Sequence, residues 1–308
     1  MSASLLLAQL LNGLQYGVML FLLAAGLTLV FGIMSFVNLA HGSLYMLGAY
    51  AAAVVGVHTG SFFLGVLAAV ATGLIVGMLL EWVAVSRLYR RDHLDHVLAT
   101  FGLVLFFNEV VRMIWGPQPM FVSLPESLSG TVDLFGFTYP TYRFLIIAVG
   151  LLVAAGSQWL IHKTRVGMLI RAGSVNPQMV GALGVNIRML NAMLFALGAA
   201  LAALAGAMAG PILSVQSGMG EPVLITTLVV IVIGGIGSVH GALYAGIIVG
   251  LVDTLGRTFL PMLIREFADR EVANAAGPAL ASMSIYLLMA IVLAWKPQGL
   301  FPAHKGHA

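Results

Sequence analysis

Few side chains in this sequence could perform chemistry, because only 8% of its 308 residues are charged. Asp92–His96 contains two aspartates and two histidines, which are the residue types of a metal site. Arg87, Arg90 and Arg91 precede this segment and would oppose a bound cation, so we interpret it as a solvated loop. No metal site and no cofactor are predicted.

Two carboxylates are spaced from an arginine as neighbours on a helix are. Glu109 is the carboxylate that looks most buried, since it lies within an apolar run, and Arg112 follows three residues later. Asp253 and Arg257 are four residues apart. Such spacings place both side chains on one helical face, and pairing lowers the cost of burying charge in a membrane. We interpret both as structural ion pairs, with proton coupling as the alternative.

Motifs of catalysis and nucleotide binding are missing from the sequence. It has no Gly-x-x-x-x-Gly-Lys-Ser/Thr sequence to cradle phosphates, and Gly235–His240 fails the dinucleotide fingerprint at its last position. There is no cysteine, which excludes disulfides and thiolate metal sites. The basic residues lie between apolar runs, so the net charge of +3 does not indicate nucleic-acid binding. We predict a chain that is not an enzyme and is driven by a partner ATPase or an ion gradient.

The elements that carry these residues are membrane helices. Hydrophobic residues make up 60% of the chain and the mean hydropathy is +1.04, whereas a soluble domain has about 25% charged residues. At ~20 residues per span, the predicted fold class is an all-α polytopic helical membrane protein with eight or nine spans. The apolar runs are Leu5–Phe31, Leu39–Val57, Phe62–Val85, Val97–Trp115, Phe144–Ile161, Ala192–Leu213, Val223–Ile233, Ala242–Gly256 and Leu280–Trp295.

The seventh run, Val223–Ile233, is too short to cross ~30 Å of hydrocarbon as one straight helix. Glycines follow it at positions 234, 235 and 237. We therefore predict a tilted span, a re-entrant hairpin or a broken helix near residues 223–241. Such backbone must be covered by protein or by a water cavity.

The distribution of Lys and Arg predicts the orientation. Nine of the fourteen fall in one set of loops, and the positive-inside rule places this larger set in the cytoplasm. The N-terminus is then outside and the C-terminus inside, provided that residues 223–256 cross twice. The nine are Arg87, Arg90, Arg91, Lys163, Arg165, Arg171, Arg188, Lys296 and Lys305.

Residues 163–190 form a polar, basic segment between two long apolar runs. Asn176 suits an N-cap, Pro177 the first helical position, and Gly184 the left-handed residue past the end. A short helix over Pro177–Leu183 is therefore predicted. An ordinary basic loop is the alternative.

This short helix would present Met179, Val180 and Leu183 on one face, as an apolar knob for a partner groove. Arg171 and Arg188 flank the helix and could pair with acidic residues or lipid phosphates. The segment is therefore the best candidate for a surface that binds another subunit.

A short motif occurs twice in the chain. Asn38–Tyr45 is echoed by Gly237–Tyr244, and both contain His-Gly-small-Leu-Tyr at the start of an apolar run. A His-Gly pair lets backbones approach closely and places a titratable ring near a solute path. Helix packing is one interpretation and contact with solute is the other. The candidate path residues are Asn38, His41, Gly42, Tyr45, Thr226, Thr227, Gly235, His240 and Tyr244.

Three stretches closely resemble the LivH-type membrane subunit of bacterial branched-chain amino acid ABC importers: Gly26–Tyr50, Gly234–Ala242 and Lys296–Phe301. The resemblance implies one of two similar permease subunits in the inner membrane, served by two cytoplasmic ATPases and a periplasmic solute-binding protein. It also implies that residues 163–190 dock on the ATPases. The family usually has an acidic residue near Gln178 and alanines near Met179 and Val180, so the partner contacts stay open.

We therefore predict a single transmembrane domain over residues 1–308 that imports aliphatic amino acids by alternating access. The apolar character of the spans suits isoleucine, leucine or valine. Urea or short amides are the alternative within the same architecture, and an ion-coupled carrier or a channel is the alternative of a different class. Solute specificity would reside largely in the binding protein, so the sequence leaves the preferred solute open.

Overall fold

The computed structural model describes residues 3–34, 38–89, 91–134 and 137–302. These residues form thirteen helices and one antiparallel hairpin, β1 (Thr131–Leu134) and β2 (Phe137–Pro140). A π-helical segment, Glu81–Val85, joins α3 to α4. The helices are α1 (Ala3–Met34), α2 (His41–Thr59), α3 (Phe62–Leu80), α4 (Ser86–Leu88), α5 (His93–Trp115), α6 (Glu126–Ser129), α7 (Thr141–Lys163), α8 (Arg165–Val175), α9 (Pro177–Ala182), α10 (Ile187–Ala209), α11 (Gly220–Gly234), α12 (Val239–Ile264) and α13 (Arg270–Trp295).

Seven of the described helices are long and apolar enough to cross a membrane: α1, α3 with its π-helical extension, α5, α7, α10, α12 and α13. The other two apolar runs form α2, with 19 residues, and α11, with 15. At 1.5 Å per residue, α11 is only about 22 Å long. The polytopic helical class is confirmed. The prediction of eight or nine spans is not confirmed, because an apolar run reports composition and not where a helix starts.

The bundle has two ends that the contacts define. At the first, which we call the hairpin end, Arg143 beside the β1–β2 hairpin hydrogen-bonds to Asn12 of α1. At the second, the α9 end, the His162 ring at the end of α7 lies 5.6 Å from the His240 ring at the start of α12. The N–H of Leu300, after α13, donates to the carbonyl of Ile233 at the same end (2.8 Å).

Cationic side chains separate between these two ends. The hairpin half carries five: Arg112, Arg143, Arg257, Arg265 and Arg270. Arg90 and Lys305, two of the nine that the sequence groups together, lie outside the described residues. The seven described members of that group lie at the α9 end: Arg87, Arg91, Lys163, Arg165, Arg171, Arg188 and Lys296.

Two helices form the centre of the bundle. Within the chain, 83% of the α1 window and 72% of the α10 window are buried, against 17–22% for the other long helices. Small residues bring these helices into backbone contact. A Cβ at Gly246 of α12 would lie 2.8 Å from the carbonyl oxygen of Gly17 of α1, and one at Gly206 of α10 would overlap the carbonyl of Tyr45 of α2. Close backbone approach is how helices associate in lipid.

The helices α2 and α11 both begin inside the bundle. A Cβ at Gly26 of α1 would lie 3.0 Å from Nε2 of His41, and Gly26 is eight residues, about 12 Å, before the end of α1. Gly42 of α2 touches Gly220, the first residue of α11. From this point α2 runs to the hairpin end and α11 to the α9 end. The break predicted near residues 223–241 is present, because α11 ends at Gly234 and α12 begins at Val239. The turn between these two helices lies at the α9 end.

Replacing Gly206 with Ala should destabilise the bundle, because the added methyl group overlaps the Tyr45 carbonyl. Overpacking of this kind costs about 1–3 kcal/mol. We expect a melting temperature several degrees lower by circular dichroism in detergent. Gly102→Ala on α5 is the matched control, since no described atom beyond the adjoining turns of its own helix lies within 4 Å of that Cβ. Equal melting temperatures for the two variants would contradict the packing described for α10.

Candidate coupling segment and central junction

Local capping residues fix the two short helices that follow α7. The Thr164 hydroxyl accepts from the N–H of Gly167 (3.0 Å) and begins α8. The Asn176 carboxamide oxygen accepts from the N–H of Met179 (2.9 Å), and Pro177 occupies the first position of α9. Past the end of α9, Gly184 has a φ of +87°, which favours glycine. The predicted capping residues are thus present, and the helix ends at Ala182, one residue earlier than predicted.

The exposed face of α9 is narrower than the sequence predicts. Met179 and Leu183 are 63% and 79% exposed, but Val180 is buried. The prediction that all three share one outer face is wrong for Val180. Neighbouring residues on a helix point about 100° apart, so Val180 turns inward while Met179 and Leu183, four residues apart, share a side.

The segment is anchored to the rest of the bundle at α7 and α10. The Arg171 guanidinium donates to the carbonyl of Ile161 in α7, so this arginine is already engaged within the chain. A Cβ at Gly167 would overlap the carbonyl oxygens of Leu160 and Ile161. The Asn186 side chain caps α10 by accepting from the N–H of Met189 (3.0 Å). Only four residues, 183–186, separate the end of α9 from the start of α10.

A cleft of about 740 Å³ opens beside this segment, between the π-helical segment and the start of α10. Arg87 and Arg188 line it together with Trp82. Burial raises the pKa of the Tyr89 phenol at its wall, and the hydroxyl donates to the carboxylate of Glu81 (2.9 Å). The cleft therefore offers positive charge at the start of α10.

The first copy of the repeated motif lies at the centre of the bundle. Asn38, His41 and Tyr45 are fully buried, and Gly42 packs against Gly220. The Asn38 side-chain oxygen accepts from the N–H of Ala40 (3.0 Å) and shapes the turn that precedes α2. The imidazole of His41 lies beside the carbonyl of Leu23. These residues hold α1, α2 and α11 together at one depth.

The second copy is placed differently. His240 lies at the α9 end beside His162, and Tyr244 is 51% exposed, with its ring 5.1 Å from that of Phe301. Gly235 has a φ of +100° and packs against the backbone after α13, where a Cβ would lie 3.0 Å from the carbonyl oxygen of Gln298. The structure therefore does not bring these three residues to the central path with the first copy.

Two threonines of α11 complete the predicted set. The hydroxyls of Thr226 and Thr227 donate to the carbonyls of Pro222 (3.2 Å) and Val223 (2.7 Å), one turn earlier in the same helix. Thr227 is fully buried and Thr226 is half-buried. Both hydroxyls thus bond to their own helix, and the Thr226 side chain also lies beside that of Tyr16 of α1.

Sequence reasoning missed a group of residues at the start of α11. The side-chain amide of Asn108 in α5 donates to the Glu221 carboxylate. The backbone carbonyl of Asn108 accepts from the Ser217 hydroxyl (3.2 Å). Ser43 of α2 lines the same small cavity as Asn108 and Glu221. We call Gly42, Ser43, Asn108, Gly220 and Glu221 the central junction. The available signal was a lone glutamate opening an apolar run.

The two predicted ion pairs form, but with different burial. Arg112 and Glu109 are 3.5 Å apart with side chains 59% and 65% exposed, so Glu109 is not a buried carboxylate. It faces out near the hairpin end, because α5 buries another side. Asp253 is 5% exposed and accepts from Nε of Arg257 with both oxygens (2.8 Å). Within the described ranges, no group of three or more metal-ligating side chains is present.

Comparison with known proteins gives consistent matches over nearly the whole chain. Residues 9–293 match the family described as branched-chain amino acid transport system, permease component. The chain is 30% identical to the high-affinity branched-chain amino acid transport system permease protein BraD of Pseudomonas aeruginosa, over 96% of this chain and 95% of that protein. It is 29% identical to LivH of Escherichia coli K12, a permease protein of the same description, over 82% and 87%.

A more distant match carries a different solute in its name. The chain is 25% identical to the ribose import permease protein RbsC of Escherichia coli K12, over 79% of this chain and 78% of that protein. No solved structure matches the chain. The arrangement of helices described above therefore rests on the contacts within this chain alone.

Proposed function

Because the chain belongs to the family of branched-chain amino acid transport system permease components, we propose that it is a transmembrane permease subunit of an ATP-driven importer. Residues 1–308 serve as one transmembrane domain, which moves branched-chain, aliphatic amino acids inward across the inner membrane by alternating access. The observation that carries the proposal is the family match together with a capped, exposed helix at the cationic end of a chain that has no P-loop.

The energy source follows from what the chain lacks and what it presents. Because the chain has no phosphate-binding loop of its own, ATP can drive it only through partner subunits that hydrolyse ATP. Residues 163–190 are their docking segment in this proposal, with Met179 and Leu183 inserted into a groove of the ATPase. Asn176, Pro177 and Gly184 shape that knob, and Val180 fastens it to the protein.

The assembly consists of this chain, a second homologous permease, two cytoplasmic ATPases and a periplasmic amino-acid-binding protein, all set in the lipid bilayer. The concentration of cations at the α9 end supports an orientation with that end in the cytoplasm. The N-terminus then lies outside and the C-terminus inside. The hairpin end faces the binding protein.

The solute is assigned from the family description. The match to a ribose import permease indicates that related chains serve chemically different solutes, so the solute must be tested directly. Apolar spans that hold few charges suit aliphatic side chains better than sugars.

Reconstitution of the full importer in proteoliposomes tests the function. We expect leucine uptake that requires ATP on the α9 side and is competed by isoleucine and valine, but not by ribose or urea. Ionophores that collapse ion gradients should leave it unchanged. Uptake that needs no ATP and stops with an ionophore would instead identify an ion-coupled carrier.

The orientation has its own test, which the absence of native cysteine makes clean. Met179→Cys on α9 and Phe121→Cys in the loop after α5 place single thiols at side chains 63% and 77% exposed. An impermeant maleimide should label Phe121→Cys in intact spheroplasts and Met179→Cys only after permeabilisation. Labelling of Met179→Cys from the periplasm would reverse the orientation and remove the docking role of α9.

Docking through α9 predicts uncoupling by a charge on its apolar face. Leu183→Asp should leave the fold intact, since Leu183 is 79% exposed, and Gly184→Asp adds a charge at the helix end. We expect leucine uptake to fall at least about tenfold, because burying an unpaired carboxylate at the contact is unfavourable, while ATP hydrolysis persists. Phe267→Asp, at an 88% exposed position in the loop after α12, is the control. Full coupled transport by both variants would refute the docking role.

A further inference from the structure

The central junction is the one place inside the bundle where two described helices begin against each other. A Cβ at Gly42 would lie 2.7 Å from the carbonyl oxygen of Gly220, so the first turns of α2 and α11 are in backbone contact. Both helices have 15 or more residues. The N-terminus of a helix carries roughly half a positive charge. Two such ends therefore place positive potential at one buried point.

A buried side chain at this point lacks a partner. Ser43, in the first turn of α2, is 3% exposed, and its hydroxyl makes no hydrogen bond to any described residue. Ser43 lines the small cavity between α2, α5 and α11. A buried hydroxyl is normally hydrogen-bonded, so an unused donor calls for an explanation. A ligand that accepts a hydrogen bond at this point would supply the missing partner.

A carboxylate belongs to the same cavity. Glu221, the second residue of α11, lines the same cavity and is held by the side-chain amide of Asn108. The Asn108 N–H donor thus occupies the place where a cationic ligand would donate. The apolar part of the wall consists of Leu39, Met46 and Val104.

We propose that the central junction recognises the zwitterion of an α-amino acid. The Glu221 carboxylate accepts from the α-ammonium group in exchange for Asn108. The Ser43 hydroxyl donates to the α-carboxylate, which lies in the positive potential at the starts of α2 and α11. Leu39, Met46 and Val104 face the aliphatic side chain. This inference rests on the proposed function and adds the groups that contact the solute within this chain.

The junction is closed in this conformation. Its empty space totals about 170 Å³ but is too narrow to admit a water molecule. A solute enters only when α2 and α11 separate, so the same contact acts as a barrier when no solute is present. Backbone contact at Gly42 and Gly220 makes this barrier tight, and the Asn108–Glu221 hydrogen bond ties the start of α11 to α5 at the same point.

The test uses the full importer in proteoliposomes and two variants with matched controls. Glu221→Gln and Ser43→Ala remove one predicted contact each, and Glu266→Gln and Ser284→Ala make the same chemical changes away from the junction. We expect leucine moved per ATP hydrolysed to fall in the first pair, because the loss of a hydrogen bond to a charged group weakens solute binding about tenfold. The controls should match the unmodified importer.

A second measurement needs no variant and separates recognition from a merely structural role. Saturation-transfer NMR of leucine with the purified permease–ATPase complex, without binding protein, should detect weak contact that isoleucine displaces. Leucinamide, which lacks the carboxylate, and 4-methylpentanoate, which lacks the ammonium group, should not displace it. Displacement by 4-methylpentanoate as strong as by isoleucine would overturn the assignment of Glu221.

The outcomes distinguish this inference from the proposed function. If the unmodified importer shows no ATP-dependent leucine uptake, the proposed function fails. If it transports leucine, but Glu221→Gln and Ser43→Ala keep the same leucine moved per ATP, the function stands and the central junction is only a packing contact. If a variant does not assemble, the displacement series on the unmodified complex decides the matter.

Discussion

Backbone contact between helices is the constraint on which the rest of this structure depends. Lipid is as apolar as leucine, so helices gain little by hiding apolar side chains from it and must instead pack closely through small residues. In this chain those contacts converge on α10. A Cβ at Gly198 would lie 2.7 Å from the carbonyl oxygen of Gly26 of α1, and Gly48 of α2 packs directly on Ala203. The positions of α1 and α2 are thereby set relative to α10, and the central junction is set with them.

The same contacts explain how two helices can begin inside the bundle. Helix ends leave backbone groups without partners, which lipid cannot satisfy. At the start of α2, the N–H groups of His41 and Ser43 donate to carbonyls of the preceding turn (3.2 and 3.0 Å). At the start of α11, Pro222 has no N–H to satisfy. The interior ends are thus largely satisfied by local backbone, and the Ser43 hydroxyl is among the buried polar groups left without a partner there.

Sequence patterns predicted the features that involve neighbouring residues, such as helix caps. They did not predict which side chains are buried by other parts of the protein. Asn176 and Gly184 act at the ends of α9 as their residue types indicate, because capping involves only neighbouring residues. Val180 turned out buried because the protein beneath α9, which sequence spacing does not describe, decides which side faces inward. Glu109 is exposed for a related reason: hydropathy places it within a run but not on a face. Glu221 was missed because its partner, Asn108, is more than a hundred residues away.

The packing also supplies a route from the docking segment to the central junction. α9 is joined to α10 by a four-residue connection capped at Asn186. α10 in turn touches α2 along backbone, with Gly206 against Tyr45, one turn after Gly42. Packed backbones cannot slide past each other by small amounts without clashing, so a displacement of α10 carries α2 with it. α11 is held at its other end, where the N–H of Phe301 donates to the carbonyl of Gly234 (3.0 Å). On the proposed docking role of α9, a pull on this helix would move α10 and α2 away from α11 and open the junction between them.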